Sequence, residues 1–196
     1  MELLKKLEKY EIILGSASPR RKELLNGLGI KFKVINLNND EDETYPDNLK
    51  KEEIPVFLAI KKSNKFSDLI NYNTIIITAD TIVYLENKVI GKPSNEKEAF
   101  EMLKFLSGKK HEVITGVCIK NINKMISFFD ISEVYFKNLS DEEISYYIKK
   151  YKPLDKAGAY GIQEWIGYIA IEKIIGSFYN VMGLPIKLVY EKLMEF

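Results

Sequence analysis

An aspartate and a threonine, Asp80-Thr81, stand inside the apolar, β-branched run Asn73-Thr-Ile-Ile-Ile-Thr-Ala-Asp-Thr-Ile-Val-Tyr84. Such a run reads as a strand buried on both faces. A carboxylate is costly there unless it has a metal to hold, a hydrogen-bond donor to meet or a proton to manage. The plainer reading is a structural aspartate satisfied by backbone N–H groups. A second polar device lies nearer the start, in Ile12-Ile-Leu-Gly-Ser-Ala-Ser-Pro-Arg-Arg-Lys-Glu-Leu-Leu25. Ile12–Leu14 read as a short strand, Gly15 as a turn, Ser18 as an N-cap and Pro19 as a first helical residue. Helical phase runs through Leu24, Leu25 and Leu28 to a stop at Gly29. The first N–H groups of that helix have no internal partners, and its dipole points over the Ser16–Ser18 turn, which favours an anion. Arg20 and Arg21 fall in the same first turn, where cations help a helix least, so a bound polyanion accounts for them better than helix stability does. Solvated surface charge is the alternative.

The remaining chain supplies the elements that must hold these groups. A short amphipathic helix over 2–10 uses Leu3, Leu4 and Leu7. Phe32, Val34 and Ile35 suggest a second strand, which runs into the acidic stretch Asn38-Asn-Asp-Glu-Asp-Glu43. That stretch is a solvated turn, or else one of its carboxylates reaches a divalent cation. A helix from Pro55 to about Leu69 places Val56, Ala59, Ile60 and Phe66 on one face. A hairpin near Glu86-Asn-Lys88 leads to Val89-Ile-Gly-Lys-Pro93, with Lys92 at a strand end where a point charge could meet phosphate. Asn95 with Glu98, and Ser140 with Glu143, have capping-box spacing, and Ala99, Met102, Leu103 and Leu106 form a buried stripe after the first. Strands are expected from His111 to about Phe136 with a turn at Asn121-Ile-Asn123, then over Trp165–Ile175. A last amphipathic helix carries Ile186, Val189 and Leu193.

Composition narrows the function classes. Lysine and arginine number 29 against 28 aspartates and glutamates, so no basic field exists to hold long nucleic acid. One histidine, His111, and one cysteine, Cys118, leave little material for a zinc site, a histidine-centred triad or a disulfide. His111 is read as structural. No leader-like apolar run and no segment of membrane-spanning length occurs, so a cytoplasmic protein with no membrane partner is expected.

Gly15-Ser-Ala-Ser-Pro-Arg-Arg-Lys-Glu-Leu-Leu25 resembles the N-terminal signature of the Maf family of nucleoside triphosphate pyrophosphatases. Thr78-Ala-Asp-Thr-Ile-Val83 resembles its Gly-Ala-Asp-Thr-Val-Val motif with threonine in place of glycine, and Val89–Pro93 matches again. Asp155-Lys-Ala-Gly-Ala-Tyr-Gly-Ile-Gln163 is similar nearly word for word to the members that act on pyrimidine triphosphates. Gly176-Ser-Phe-Tyr-Asn-Val-Met-Gly-Leu-Pro185 is a further match, so the resemblance spans about residues 11–194.

No repeat or linker divides the chain, so a single domain over residues 1–196 is expected, with 1–10 a helical extension. Strands and helices that alternate early and paired strands in the middle argue for an α/β fold with a mixed twisted sheet flanked by helices. The resemblance implies two lobes around a cleft, as in inosine triphosphate pyrophosphatases. The implied activity is hydrolysis of dTTP or UTP, with CTP and modified pyrimidine triphosphates as further candidates, to the monophosphate and pyrophosphate. By the same resemblance Asp80 is the general base and Ser16, Arg20, Arg21, Lys62 and Lys92 bind substrate. Arg20, Thr81 and Gln163 select it, the Gln163 amide offering a base edge both a donor and an acceptor. Glu41 and Asp80 would hold a divalent cation (Mg2+, Mn2+ or Co2+), with Asp40 or Asp42 replacing Glu41 if the acidic loop shifts in register. The partner is the triphosphate, and a homodimer is compatible with the sequence. The alternative is a nucleotide-binding regulator of division that does not hydrolyse its ligand. A nucleotidyl or phosphoryl transferase would use the same charges but needs an acceptor pocket.

Overall fold

The computed structural model describes residues 2–37 and 43–196. In chain order the elements are α1 (Glu2–Leu7), β1 (Glu11–Leu14), α2 (Pro19–Asn26), β2 (Lys33–Val34), α3 (Glu53–Asn64), β3 (Thr74–Leu85) and β4 (Lys88–Ile90). They continue with α4 (Glu96–Leu106), β5 (Lys110–Lys120), β6 (Met125–Phe136), α5 (Asp141–Tyr151), α6 (Trp165–Ala170), β7 (Ile171–Ile175), α7 (Phe178–Val181) and α8 (Ile186–Leu193). The strands form one mixed sheet in the order β2-β1-β3-β5-β6-β7, with β4 paired to β3. An α/β fold with helices around a mixed sheet is therefore what the sequence produces. The chain divides into two compact units, unit 1 with residues 1–80, 115–130 and 183–196, and unit 2 with 81–114 and 131–182.

In unit 1, β1 lies parallel to β2 on one side and to β3 on the other, with Leu14 level with both Val34 and Ile77. The chain leaves β1 through α2 to reach β2, then crosses back through α3 to β3. This reversal of direction makes the carboxyl end of β1 a topological switch point, where open α/β sheets bind ligands. Thr74 through Asp80 on β3 are all buried, as the apolar run requires. Ile13, Ile76 and Phe66 pack together beneath this region. Gly15 has to be glycine, because a Cβ there would lie 2.7 Å from the Phe66 ring and 2.9 Å from Thr78 Cγ2.

α3 differs from its expected face. Ile54, Leu58, Ala59 and Ser63 are buried, while Val56 and Ile60 are only half-buried. The helix is therefore rotated toward a line that includes Lys62, three residues past Ala59 and four past Leu58. It also ends at Asn64, and Phe66 packs from the turn that follows.

Unit 2 has its own core, with Val83, Leu103, Leu106, Val134, Phe136, Ile144, Tyr147 and Ile166 among its buried members. Glu86 and Asn87, at φ 51° and 62°, form the two-residue turn between β3 and β4; both residues are left-handed, as a type I′ hairpin demands. Ser140 and Glu143 complete the capping box of α5. At α4 the Asn95 side chain accepts from Glu98 N, but the Glu98 carboxylate returns to Ser94 rather than to Asn95. The expected strand over 165–175 is half helix: α6 occupies Trp165–Ala170 and only Ile171–Ile175 pairs with β6. Ile166 and Ala170, one helical turn apart, are fully buried, and Gly167 allows the Ile162 carbonyl to come so close that a Cβ would lie 1.9 Å from its oxygen.

Candidate functional site

At the carboxyl end of β1 the Ser18 side chain accepts from Arg21 N at 3.5 Å, and Pro19 opens α2. Ser16 is buried, and its Oγ accepts from Ser18 N at 3.2 Å and from Arg21 Nη1 at 3.4 Å. Arg21 Nε donates to the Gly183 carbonyl at 2.8 Å. Arg21 is thus engaged with the protein's own turn, shaping it as well as charging it. Arg20 is half-buried in the same first turn.

On β3, Thr78 and Asp80 are two residues apart and so share a face, the one covered by α3. Thr78 Oγ1 donates to the Ala59 carbonyl at 2.7 Å, and Lys62 Nζ lies 2.5 Å from Asp80 Oδ1. The helix spacing of three and the strand spacing of two thus bring one neutral and one charged contact into line. The departure from glycine at position 78 has a local use, pinning strand to helix. Asp80 is 8% and Lys62 19% exposed at the side chain, so this ion pair is largely withdrawn from water. Ile77 is level with Leu14, which places Asp80 about 10 Å farther along β3 at strand rise. The acid and the Ser16 turn therefore belong to the same end of unit 1.

Among the described residues no group of three or more histidine, cysteine or acidic side chains could hold a metal ion. Asp80 offers a hard carboxylate already engaged with Lys62, and suits a cation as one ligand among several. Glu41, Asp40 and Asp42 lie outside the described residues.

In unit 2, Thr81 is half-buried immediately after Asp80. Lys92 is exposed, two residues beyond β4. The Gly158 N–H donates to the Gly91 carbonyl at 2.9 Å, fastening the 155–163 loop beside Lys92. Gly158 has φ 68°, and a Cβ there would meet Val83 at 2.9 Å. Gln163 is half-buried, and among the described residues its amide has no hydrogen-bond partner, which leaves its donor and acceptor available.

His111, expected to be structural, lies among aromatic side chains. It is buried, its Nε2 is 2.9 Å from the Tyr160 hydroxyl, and it packs edge-on against Phe136 and Tyr160. Burial lowers its pKa to about 4, so the ring is neutral near pH 7. Unanticipated from sequence is a polar network in the same unit, in which Lys156, Glu164 and the Tyr147 hydroxyl join one another. Lys156 and Tyr147 are buried, and the only sequence signal was that Lys156 lies inside the 155–163 motif.

Parallel strands reversing at β1, a helix start at that point and a charged pair beside it define an α/β protein with a topological switch point at one strand end. The chain belongs to the Maf-like protein family, whose profile matches residues 11–196. It is 56% identical over 193 residues to the dTTP/UTP pyrophosphatase of Phocaeicola vulgatus, covering 98% of this chain and all of that one. The dTTP/UTP pyrophosphatase of Bacteroides thetaiotaomicron is 52% identical over 193 residues, again 98% of this chain and all of the other. Among solved structures, a nucleoside-triphosphatase / dITP/XTP pyrophosphatase from Mycobacterium abscessus aligns with a TM-score of 0.38 and 9% identity, over 66% of this chain and 75% of that one. No helix among the described residues is long and apolar enough to cross a membrane.

Proposed function

We propose that this protein hydrolyses dTTP and UTP, with CTP and modified pyrimidine triphosphates as further candidates, to the nucleoside monophosphate and pyrophosphate. The observation that carries the reading is the Lys62–Asp80 pair at the strand end that also bears the Ser16 turn and the two arginines. The names of relatives about half identical to this chain point the same way.

The turn's backbone N–H groups and Arg20 take the phosphates, while Arg21 braces Ser16 and the Gly183 carbonyl so that the turn keeps its shape. Lys62 bridges Asp80 and the phosphate charge. Asp80 orients a water in line with the α-phosphorus and takes its proton as the new P–O bond forms and the bond to the β-phosphate oxygen breaks. Pyrophosphate leaves with that oxygen. Asp80 and Glu41 would hold a divalent cation, Mg2+, Mn2+ or Co2+, whose contribution is to neutralise phosphoryl oxygens and acidify water. Lys92 is read as a further phosphate contact, and Thr81 and Gln163, with Arg20, as the groups that select the substrate. A cytoplasmic location and a homodimer complete the reading, the second measurable by light scattering.

The deciding experiment presents the purified protein with a panel of nucleoside triphosphates and Mg2+ or Mn2+ and measures pyrophosphate. Release from dTTP and UTP well above that from ATP and GTP is expected. Tight nucleotide binding without any pyrophosphate would replace the enzyme with a nucleotide-binding regulator. Release of orthophosphate in its place would move the attack to another phosphorus.

A further inference from the structure

Gln163 is held by a feature that no sequence motif announces. Residues 161–164 form a turn closed by Glu164 N donating to the Gly161 carbonyl at 3.0 Å, with Gln163 in its third position. One side chain spans both ends. The Tyr147 hydroxyl, from α5, accepts from Gly161 N at 3.0 Å and donates to Glu164 Oε2. Lys156 Nζ holds the other carboxylate oxygen, Glu164 Oε1, at 3.1 Å, and also contacts Asp155 at 2.7 Å.

The parts fit too closely to be interchangeable. Tyr147 is fully buried in the core of unit 2, stacked on Tyr151 with ring centroids 5.1 Å apart, where phenylalanine would supply the same apolar surface. A Cβ on Gly161 would lie 2.8 Å from the Glu164 carboxyl carbon. From the other side, Gly167 lets α6 rest against the Ile162 carbonyl. Burial, and next the hydrogen bond to Glu164, raise the Tyr147 pKa, so the phenol stays a donor. Gln163, in the middle of this braced turn, has a backbone with little freedom and an amide uncommitted among the described residues.

We infer that Tyr147, with Glu164 and Lys156 behind it, is a positioning residue that fixes the 161–164 turn so that the Gln163 amide meets the substrate's base in one orientation. This rests on the proposed hydrolysis of pyrimidine triphosphates, and it adds a source for the discrimination. A site built to hydrogen-bond a partner rejects the wrong one strongly only while its groups are held in place.

Tyr147→Phe tests this, with kcat/KM measured for dTTP and for a purine triphosphate. The pyrimidine-to-purine ratio is expected to fall about tenfold or more, as for a displaced contact, while Tyr151→Phe leaves it unchanged. In a Gln163→Ala background Tyr147→Phe should change the ratio no further, since the group it positions is gone. Glu164→Gln, which keeps its size and one acceptor oxygen, examines the brace from its other end and should lower the ratio in the same direction. Melting temperatures identify any variant that fails to fold, and Glu164→Gln then decides. An unchanged ratio in a folded Tyr147→Phe or Glu164→Gln, or an equal fall with and without Gln163, overturns the inference while leaving the enzyme intact. A wild-type chain with no base preference overturns both.

Discussion

Lys62 and Asp80 meet where little water reaches, so each is the other's main compensation for burial. Removing only one leaves an uncompensated charge, which typically costs about 3–5 kcal/mol. Lys62→Met should lower the urea-unfolding free energy by about 3 kcal/mol, and adding Asp80→Leu should restore most of the loss. A double variant as unstable as the single one would mean that the pair does not govern local stability. Asp80→Asn is a different probe, because it preserves shape and an acceptor oxygen for Lys62 while removing the ionisable group. Pyrophosphate release should drop by about 10²–10⁴-fold with nucleotide binding retained in calorimetry. A protein that merely binds triphosphates would release no pyrophosphate with or without the substitution.

At the scale of elements, α3 and β5 approach so closely that no Cβ fits between their backbones. A Cβ on Gly116 would lie 2.3 Å from the Pro55 carbonyl carbon and from Val56 N, so only glycine lets the strand pass beneath the helix start. Gly116→Ala must push α3 away, and destabilisation of about 1–3 kcal/mol is expected on denaturant unfolding. Displacing α3 also displaces Lys62, so activity should fall with stability. Much of this scaffolding was legible in the chain. Ser18-Pro19 and Ser140 with Glu143 announce their helices through local chemistry, and Thr74–Leu85 announces a central strand through an apolar run too long for one exposed face. What escaped was non-local. Val56 and Ile60 look as inward-facing as Ile54 and Leu58 until the packing partner is known, so the burial of Lys62 could not be read. Ile166-Gly-Tyr-Ile-Ala170 is β-branched enough to pass for a strand, and the close approach of its helix to Ile162 is not written in its periodicity. The Tyr147 brace joins a helix to a loop far along the chain, and periodicity is silent about such pairs.

On the scale of the whole molecule, acid should act through His111. Its folded pKa of about 4 lies below the usual 6.5, because burial penalises the charged ring. Between those values the unfolded chain takes up a proton that the folded chain refuses, so falling pH favours unfolding. The contribution is complete above pH 6.5 and declines toward pH 4, by about 3 kcal/mol at 1.36 kcal/mol per unit. Unfolding free energies at pH 7 and pH 4 should therefore differ more in the wild type than in His111→Gln. Equal differences would show that other groups carry the acid sensitivity.

The segment around α1 is tied by hydrogen bonds to the residues that follow α8. Lys6 Nζ donates to the Met194 carbonyl and the Tyr10 hydroxyl to that of Phe196, at 3.3 Å for the second. A linker between these two segments could join them without breaking either contact, and the chain could then be cut at an exposed turn such as Asn121–Lys124. Such a rewired gene would encode the same contacts in a new order of synthesis.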